Sequence, residues 1–244
     1  MIYDIHTHNI ASSNRDLFGE AEKHGISRVL LLGDVSRHSE AQSAEQVREI
    51  NDDTIADVKK YCGMADGFCY INPALPAGFI REEVARCFAA GLKGVKLEIS
   101  LCCSNPKLDD LMAVLKEYDR PLLHHCWFKT VGKYGEESDP SDVAILAKRH
   151  PDVKIVMAHL CGCGYRGVEY IADLPNVYVD TSGGQPENGF LQYAVKRIGA
   201  GRLLYGSDAP CRDFGCQLHK ILDAGLNSAD LEKILYTNAV ELLK

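Results

Sequence analysis

The sequence has no basic run. Its 27 Lys and Arg are scattered among 34 Asp and Glu, for a formal net charge of -7. Nucleic-acid backbones are bound by clustered cations, so a nucleic-acid partner is not expected. No apolar stretch approaches the length of a membrane span, and no basic-then-apolar leader precedes His6. A first strand that starts at Ile2 leaves no room for a removable leader, so a cytoplasmic protein with no membrane partner is expected. No linker, low-complexity tract or composition break divides the chain. There is no glycine-rich turn after the first strand, where an open dinucleotide-binding sheet would carry one. Cysteine is plentiful, at ten residues, but no spacing makes a paired Cys-x-x-Cys zinc site. Free thiols, mostly buried as small apolar groups, are the expectation.

What is present is a repeating pattern. Hydrophobic residues make up 46% and charged residues 25% of 244 residues, ordinary for one soluble domain. Apolar, β-branched runs are expected as strands at 2–5, 26–32, 68–71, 94–99, 121–125, 153–158, 176–180 and 202–206. Helical spacing or helix-stop residues place helices at 14–24, 39–61, 78–90, 109–118, 141–150, 166–172, 189–197, 217–224 and 230–243. Eight strands alternating with helices over this length call for a single α/β domain, residues 1–244, closed as a (β/α)8 TIM barrel.

The carboxyl ends of such strands converge on one mouth. There this sequence places His6 and His8, Glu98, His124 or His125, His159, Asp180 and Asp208. All are metal-ligand types or acids and bases. In a regular strand His6 and His8 leave from one face, and so do Lys96 and Glu98, which could simply pair with each other. Taken singly, Asp208 could cap a turn and His159 could be a satisfied core histidine. Asp180 reads better as a turn residue or a support behind the ligands. His24 and His150 end helices, where a cation suits the dipole.

The motifs Asp4-x-His6-x-His8, Pro121-Leu-Leu-His-His125, Met157-Ala-His159-Leu-x-Gly162, Asn176-Val-Tyr-Val-Asp-Thr-Ser182, Gly206-Ser-Asp208-Ala-Pro210 and Asn238-Ala239 come in one order over nearly the whole chain. As a set they resemble the metal-dependent amidohydrolase superfamily, in its branch of aminocarboxymuconate-semialdehyde decarboxylase, resorcylate-type decarboxylases, and lactone and ring-product hydrolases. The resemblance implies a divalent metal, zinc with manganese as the alternative, as one or two ions. It implies His6, His8, Glu98, His125, His159 and Asp208 as ligands, with Glu98 at the place of a bridging group. His125 rather than His124 falls on the fifth-strand ligand, which turns His124 toward the helices. Asp208 and His159 become the catalytic pair.

The chemistry implied is hydrolysis of an amide, ester or lactone bond of a small substrate, carboxylated or not, by a metal-activated water. The alternative is non-oxidative decarboxylation of a small aromatic or muconate-like acid, with the histidine and aspartate handling the proton. A non-catalytic metal-binding barrel and a deoxyribonuclease-like relative stand further off, the latter lacking a basic groove. Arg166 and Arg212 could clamp a carboxylate, and Trp127 with Phe128 could wall a ring; each could equally be surface or packing. His38 also falls on the mouth side. Several cysteines, among them Cys126, Cys161 and Cys163, follow mouth-side strand ends and are read as packing groups open to oxidation. The expected partner is a small molecule, with homo-oligomerisation left open.

Overall fold

The computed structural model describes residues 1–10, 16–34, 36, 42–184 and 187–244. Expected features at Asn14, His38 and Ser39 lie outside the described residues. The apolar runs form short parallel strands, β1 (Tyr3–Thr7), β2 (Arg28–Leu31), β3 (Ala65–Gly67), β4 (Cys69–Tyr70), β5 (Val95–Leu97), β6 (Leu122–His124), β7 (Ile155–Met157), β8 (Val177–Asp180) and β9 (Leu203–Leu204). They pair in the orders β1-β2-β3 and β4-β5-β6-β7-β8-β9. Two seams separate these sheets, and backbone bonding spans both. At the first, Phe68 joins β3 to β4 and its N–H donates to Leu31 O at 2.9 Å. At the second, Ile5 N–H donates to Tyr205 O at 2.9 Å, and Thr7 bridges Ala209. The architecture is the expected (β/α)8 barrel, drawn as two sheets with no continuous ladder around the ring.

The third strand, expected at 68–71, starts earlier, at Ala65, and is split at Phe68 into β3 and β4. Asn51 on α2 (Ala44–Lys60) supplies the missing partners: its Oδ1 accepts Tyr70 N–H at 2.7 Å, and its Nδ2 donates to Tyr70 O at 3.1 Å. Helix starts follow their capping residues. Ser43 and Gln46 form a capping box for α2, and α1 (Leu17–Lys23) is capped by Asp16. After α3 (Ala77–Ala89) and α4 (Asp109–Tyr118), Asp139 caps α5 (Pro140–Arg149), with Pro140 in its first turn.

Two helices depart from expectation. α6 (Leu160–Ile171) begins directly after His159, six residues earlier than its composition suggests; Gly164 interrupts it with φ 64°. Three glycines in that stretch make a bent helix look like loop. Beyond α7 (Phe190–Ile198) and α8 (Phe214–Leu222), the expected closing helix is broken into α9 (Ser228–Glu232), a π turn (Lys233–Thr237) and α10 (Asn238–Leu242). Ile234 O accepts Tyr205 N–H at 2.8 Å, and Asn238 Nδ2 donates to Ala200 O and Leu203 O, both at 2.7 Å. The helix widens where it stitches itself to the end of β9.

Alternate strand residues sort into two apolar layers. Leu31, Val95, Leu97, Leu122, Ile155 and Val179 pack outward against the helices. Tyr3, Ile5, Leu30, Phe68, Leu123, Val156 and Leu204 fill the barrel and continue onto Leu242 and Leu243. Each fully buried aliphatic side chain contributes about 1.5–3 kcal/mol. All ten cysteines are free thiols.

Candidate metal centre

The second seam builds the site. Where β1 leaves β2 the register shifts between Asp4 and Thr7, a local irregularity that re-aims side chains. Asp4 Oδ1 accepts N–H bonds from His6 and Ser207, each 3.0 Å, tying the strand to the segment after β9. Asp208 N–H donates to His6 O and His8 N–H to Ala209 O, both at 2.7 Å. His6, His8 and Asp208 are thereby held against one another by main chain. Burial pushes the Asp4 carboxyl up to about 7, against the pull of these N–H groups.

His8 Nδ1 lies 2.9 Å from Gly33 O, which can only accept, so the ring proton sits on Nδ1 and Nε2 presents its lone pair. His6 Nδ1 lies 2.9 Å from Asp180 Oδ2 and is fixed in the same tautomer. The two Nε2 atoms face Asp208 Oδ1 at 3.7 Å from His6 and 3.6 Å from His8. Two oriented imidazole nitrogens and a carboxylate oxygen could hold a divalent ion, and these ligand atoms all lie within 4.8 Å of one another. Burial and the neighbouring His6 lower the His8 imidazole below its ordinary range, which keeps it neutral. For His6 burial pulls downward, but the Asp180 carboxylate outweighs it and the net shift is upward.

His159 stands beside this triad, its ring centroid 4.9 Å from that of His6. Its Nδ1 lies 2.8 Å from Ser182 Oγ, and Ser182 in turn hydrogen-bonds Asp180. Burial, with His6, His125 and Lys96 close by, drives its pKa well below the ordinary value. Both His159 (φ 66°) and Asp208 (φ 65°) occupy the left-handed region, a strained setting for non-glycine residues that costs on the order of 1–3 kcal/mol each. His6, His159 and Asp180 also cluster closely, but there His6 Nδ1 and Asp180 are joined by their own hydrogen bond.

Glu98 and His125 do not join the triad. Glu98 Oε1 is 2.6 Å from Lys96 Nζ and its Oε2 is 3.5 Å from His125 Nδ1. Against burial, Lys96 and His125 hold the Glu98 carboxyl down at about 2. His125 Nδ1 is 3.3 Å from His159 Nε2, while its Nε2 is 3.0 Å from Glu137 Oε1. His124 lies on the helix side of β6, its Nδ1 2.6 Å from His125 O, and burial lowers it to about 4. Arg212 Nε is 3.6 Å from Asp208 Oδ2, and its guanidinium lies 5.6 Å over the Trp127 ring. Trp127 is 5.2 Å from the His159 ring. Arg166 instead stacks 4.9 Å over Phe128 and is exposed.

Three functional neighbours escaped the sequence reading. Glu137 is buried in the loop after β6, where it accepts from Lys129 Nζ at 2.8 Å as well as facing His125. Nothing in Tyr134-Gly-Glu-Glu137 distinguishes it from a solvated loop acid. Ser182 closes the Asn176–Ser182 motif without a role being read for it, and Gly33 acts only through its main-chain carbonyl, which leaves no compositional trace. Thiols do not enter either ligand cluster; Cys126 and Cys163 sit with sulfurs 3.5 Å apart behind the site.

A family model described as amidohydrolase matches residues 4–244. The chain belongs to that family. As an amidohydrolase it is an enzyme of a metal-dependent superfamily, as the motifs imply. No curated protein matches its sequence. Among solved structures, 2,6-dihydroxybenzoate decarboxylase from Rhizobium superposes with a TM-score of 0.78 at 17% identity, covering 99% of this chain and 98% of that one. A dihydroxybenzoic acid decarboxylase from Polaromonas sp. JS666, with bound manganese and 2-nitroresorcinol, gives 0.78 at 17%, covering 99% and 96%. A putative 2-pyrone-4,6-dicarboxylic acid hydrolase from Pseudomonas putida gives 0.69 at 19%, covering 99% and 97%. These likenesses are of fold. No helix among the described residues is long and apolar enough to cross a membrane.

Proposed function

We propose that this amidohydrolase is a metal-dependent, non-oxidative decarboxylase of a small aromatic acid, the alternative reading of the sequence rather than hydrolysis. The observation that carries it is the division of the site into one metal-ready triad, His6, His8 and Asp208, and a separate neutral His159 at its side. Two decarboxylases of the same fold, one with manganese, lend support. The donor set suits manganese or zinc.

When bound, the ion would anchor the oxygens of the acid and supply positive charge to the reacting ring. The remaining work falls to side chains. Trp127, 5.2 Å from His159, offers an apolar wall for a planar ring. Arg212, beside both Trp127 and Asp208, offers a guanidinium to a second oxyanion. The ring carbon must gain a proton as its bond to the carboxylate breaks and carbon dioxide leaves. Asp208 and His159 are the groups in position to hold that proton, and the His159–Ser182–Asp180 chain keeps the imidazole oriented.

The test is a panel of hydroxylated benzoates and a pyrone lactone, offered to protein loaded with Mn2+ or Zn2+. Carbon dioxide release with stoichiometric loss of acid is the expected result. Lactone opening without carbon dioxide would instead install the hydrolytic reading, which the fold shared with the pyrone hydrolase keeps in view.

A further inference from the structure

The proposed reaction leaves unused a cavity between α7 and α8. It holds about 600 Å³ and takes part of its wall from Gly184, Arg212, Gln217 and Lys220. That lies within the size of small-molecule sites, about 300–1,000 Å³. Two atoms of the wall are buried with no hydrogen-bond partner among the described residues. One is Gln217 Oε1, on a residue only 5% exposed; the other is Arg212 Nε, 3.6 Å from Asp208 Oδ2. Buried polar atoms are nearly always paired, so each calls for a partner that the chain does not supply. Lys220 adds a charge. Its ammonium donates to Thr181 O at 2.8 Å, Gly183 O at 3.3 Å and Cys161 Sγ at 3.4 Å, none of them an acid. The two longer contacts are open to exchange for a carboxylate oxygen. The acids of the wall are exposed instead: Asp213 caps α8 through the Cys216 N–H, Asp223 pairs with His219 at 3.2 Å, and Glu187 faces water. The less exposed part of the wall is thus cationic and amide-bearing.

This cavity adjoins the triad. Arg212 belongs to both, and its guanidinium lies over the Trp127 ring that walls the proposed ring site. Lys220 grips the carbonyls on either side of Ser182, the partner of His159. We infer that the cavity is a second subsite, which takes a carboxylate-bearing arm of the substrate. The reacting acid group lies at the triad, the arm passes Arg212, and its carboxylate rests between Lys220 and Gln217, one turn apart on one face of α8. Rotation of the Gln217 amide puts an N–H where Oε1 now stands, and that N–H donates to the carboxylate. The inference rests on the decarboxylase reading. It narrows the substrate class from a bare hydroxybenzoate to an aromatic diacid whose second carboxylate is set off from the ring by a short chain.

The experiment offers Mn2+-loaded protein 2,6-dihydroxybenzoate, the same acid with a 2-carboxyethyl arm at ring position 3 or at position 4, and the primary amide of each arm. Carbon dioxide release gives kcat/KM for every compound. Wild type should favour the better diacid over the bare acid by about 10-fold or more, chiefly through KM, and the amide should lose most of that gain. Gln217→Leu keeps the volume and removes the amide, while Cys216→Phe fills the cavity from an exposed position on α8. Each should bring the ratio of diacid to bare acid toward one. A wild-type ratio of one or less for both arms, an amide as good as its diacid, or a ratio that neither folded variant moves would overturn the inference. If no compound releases carbon dioxide, the decarboxylase reading fails and binding decides the subsite separately. Fluorescence of Trp127, the chain's single tryptophan, should then still report tighter binding of a diacid than of the bare acid in wild type, and no such preference in Cys216→Phe. Equal affinities in wild type would overturn the subsite as well.

Discussion

Replacing Glu137 by glutamine should change how the metal-free protein tolerates acid as well as how stable it is at neutral pH. Burial alone would raise this carboxyl, but its hydrogen bonds with His125 and Lys129 hold it down at about 2, from an ordinary value of 4.5. The folded-state pKa is depressed, so the stabilisation is fully present above about 4.5 and is lost as pH falls toward the folded value. A depression of that size corresponds to about 3 kcal/mol, at about 1.4 kcal/mol per unit. The glutamine amide keeps an oxygen for His125 and Lys129, the latter 24% exposed and able to turn to water, so part of the contact survives. Urea unfolding from neutral pH to about pH 3 measures the effect. The wild-type and Glu137→Gln curves should lie a few kcal/mol apart at neutral pH and converge in acid. Curves that stay parallel over that range would refute the argument, because they would mean that Glu137 titrates alike in the folded and unfolded chain.

Other substitutions address the rest of the site. Asp208→Asn keeps a residue that tolerates φ 65° but removes the carboxylate facing His6 and His8. Calorimetric Mn2+ titration should show affinity falling by about 100-fold or more, with no loss in thermal midpoint. In Gly162→Ala the new Cβ would stand 2.7 Å from the Trp127 ring, and the indole must shift. Its overpacking should cost about 1–3 kcal/mol in denaturant melts and raise KM more than it lowers kcat. Asn238→Ala leaves the carbonyls of Ala200 and Leu203 without their donor in a buried setting. Urea unfolding should show a loss of about 2–3 kcal/mol, with metal binding unchanged.

The barrel was legible because its signal is carried by repetition: apolar runs alternate with capped amphipathic helices, and the runs at 94–99, 121–125 and 153–158 each contain an observed strand. Short strands blur at their ends, so Arg202–Gly206 shrinks to the two residues of β9. His6, His8, His159 and Asp208 were readable as a set because strand ends of one barrel share a mouth. The partition among them was not. Period 2 correctly puts Lys96 and Glu98 on one face, yet only distances reveal that they satisfy each other before any ion can. Loop geometry hid Glu137, whose burial depends on Tyr134 and Lys129 folding over it. The start of α6 was hidden for a different reason: glycine-rich composition argues against helix locally, and tertiary packing of Gly162 beneath Trp127 overrides it.

Asp180 has a consequence for how the site can be altered. One of its oxygens holds the His6 ring, and the other takes the His159 main-chain N–H at 3.2 Å and Ser182. The group that aims a ligand and the group that steadies the proton carrier are one fully buried carboxylate. On the proposed mechanism, metal affinity and proton handling are therefore thermodynamically coupled variables. Substitutions at His6 and at Ser182 should be non-additive, because each changes what Asp180 has left to give and Ser182 Oγ itself lies 3.5 Å from His6 Nδ1. A chain built this way does not improve one function in isolation, and variation that retunes the ion must pass through the same atom pair that sets the base.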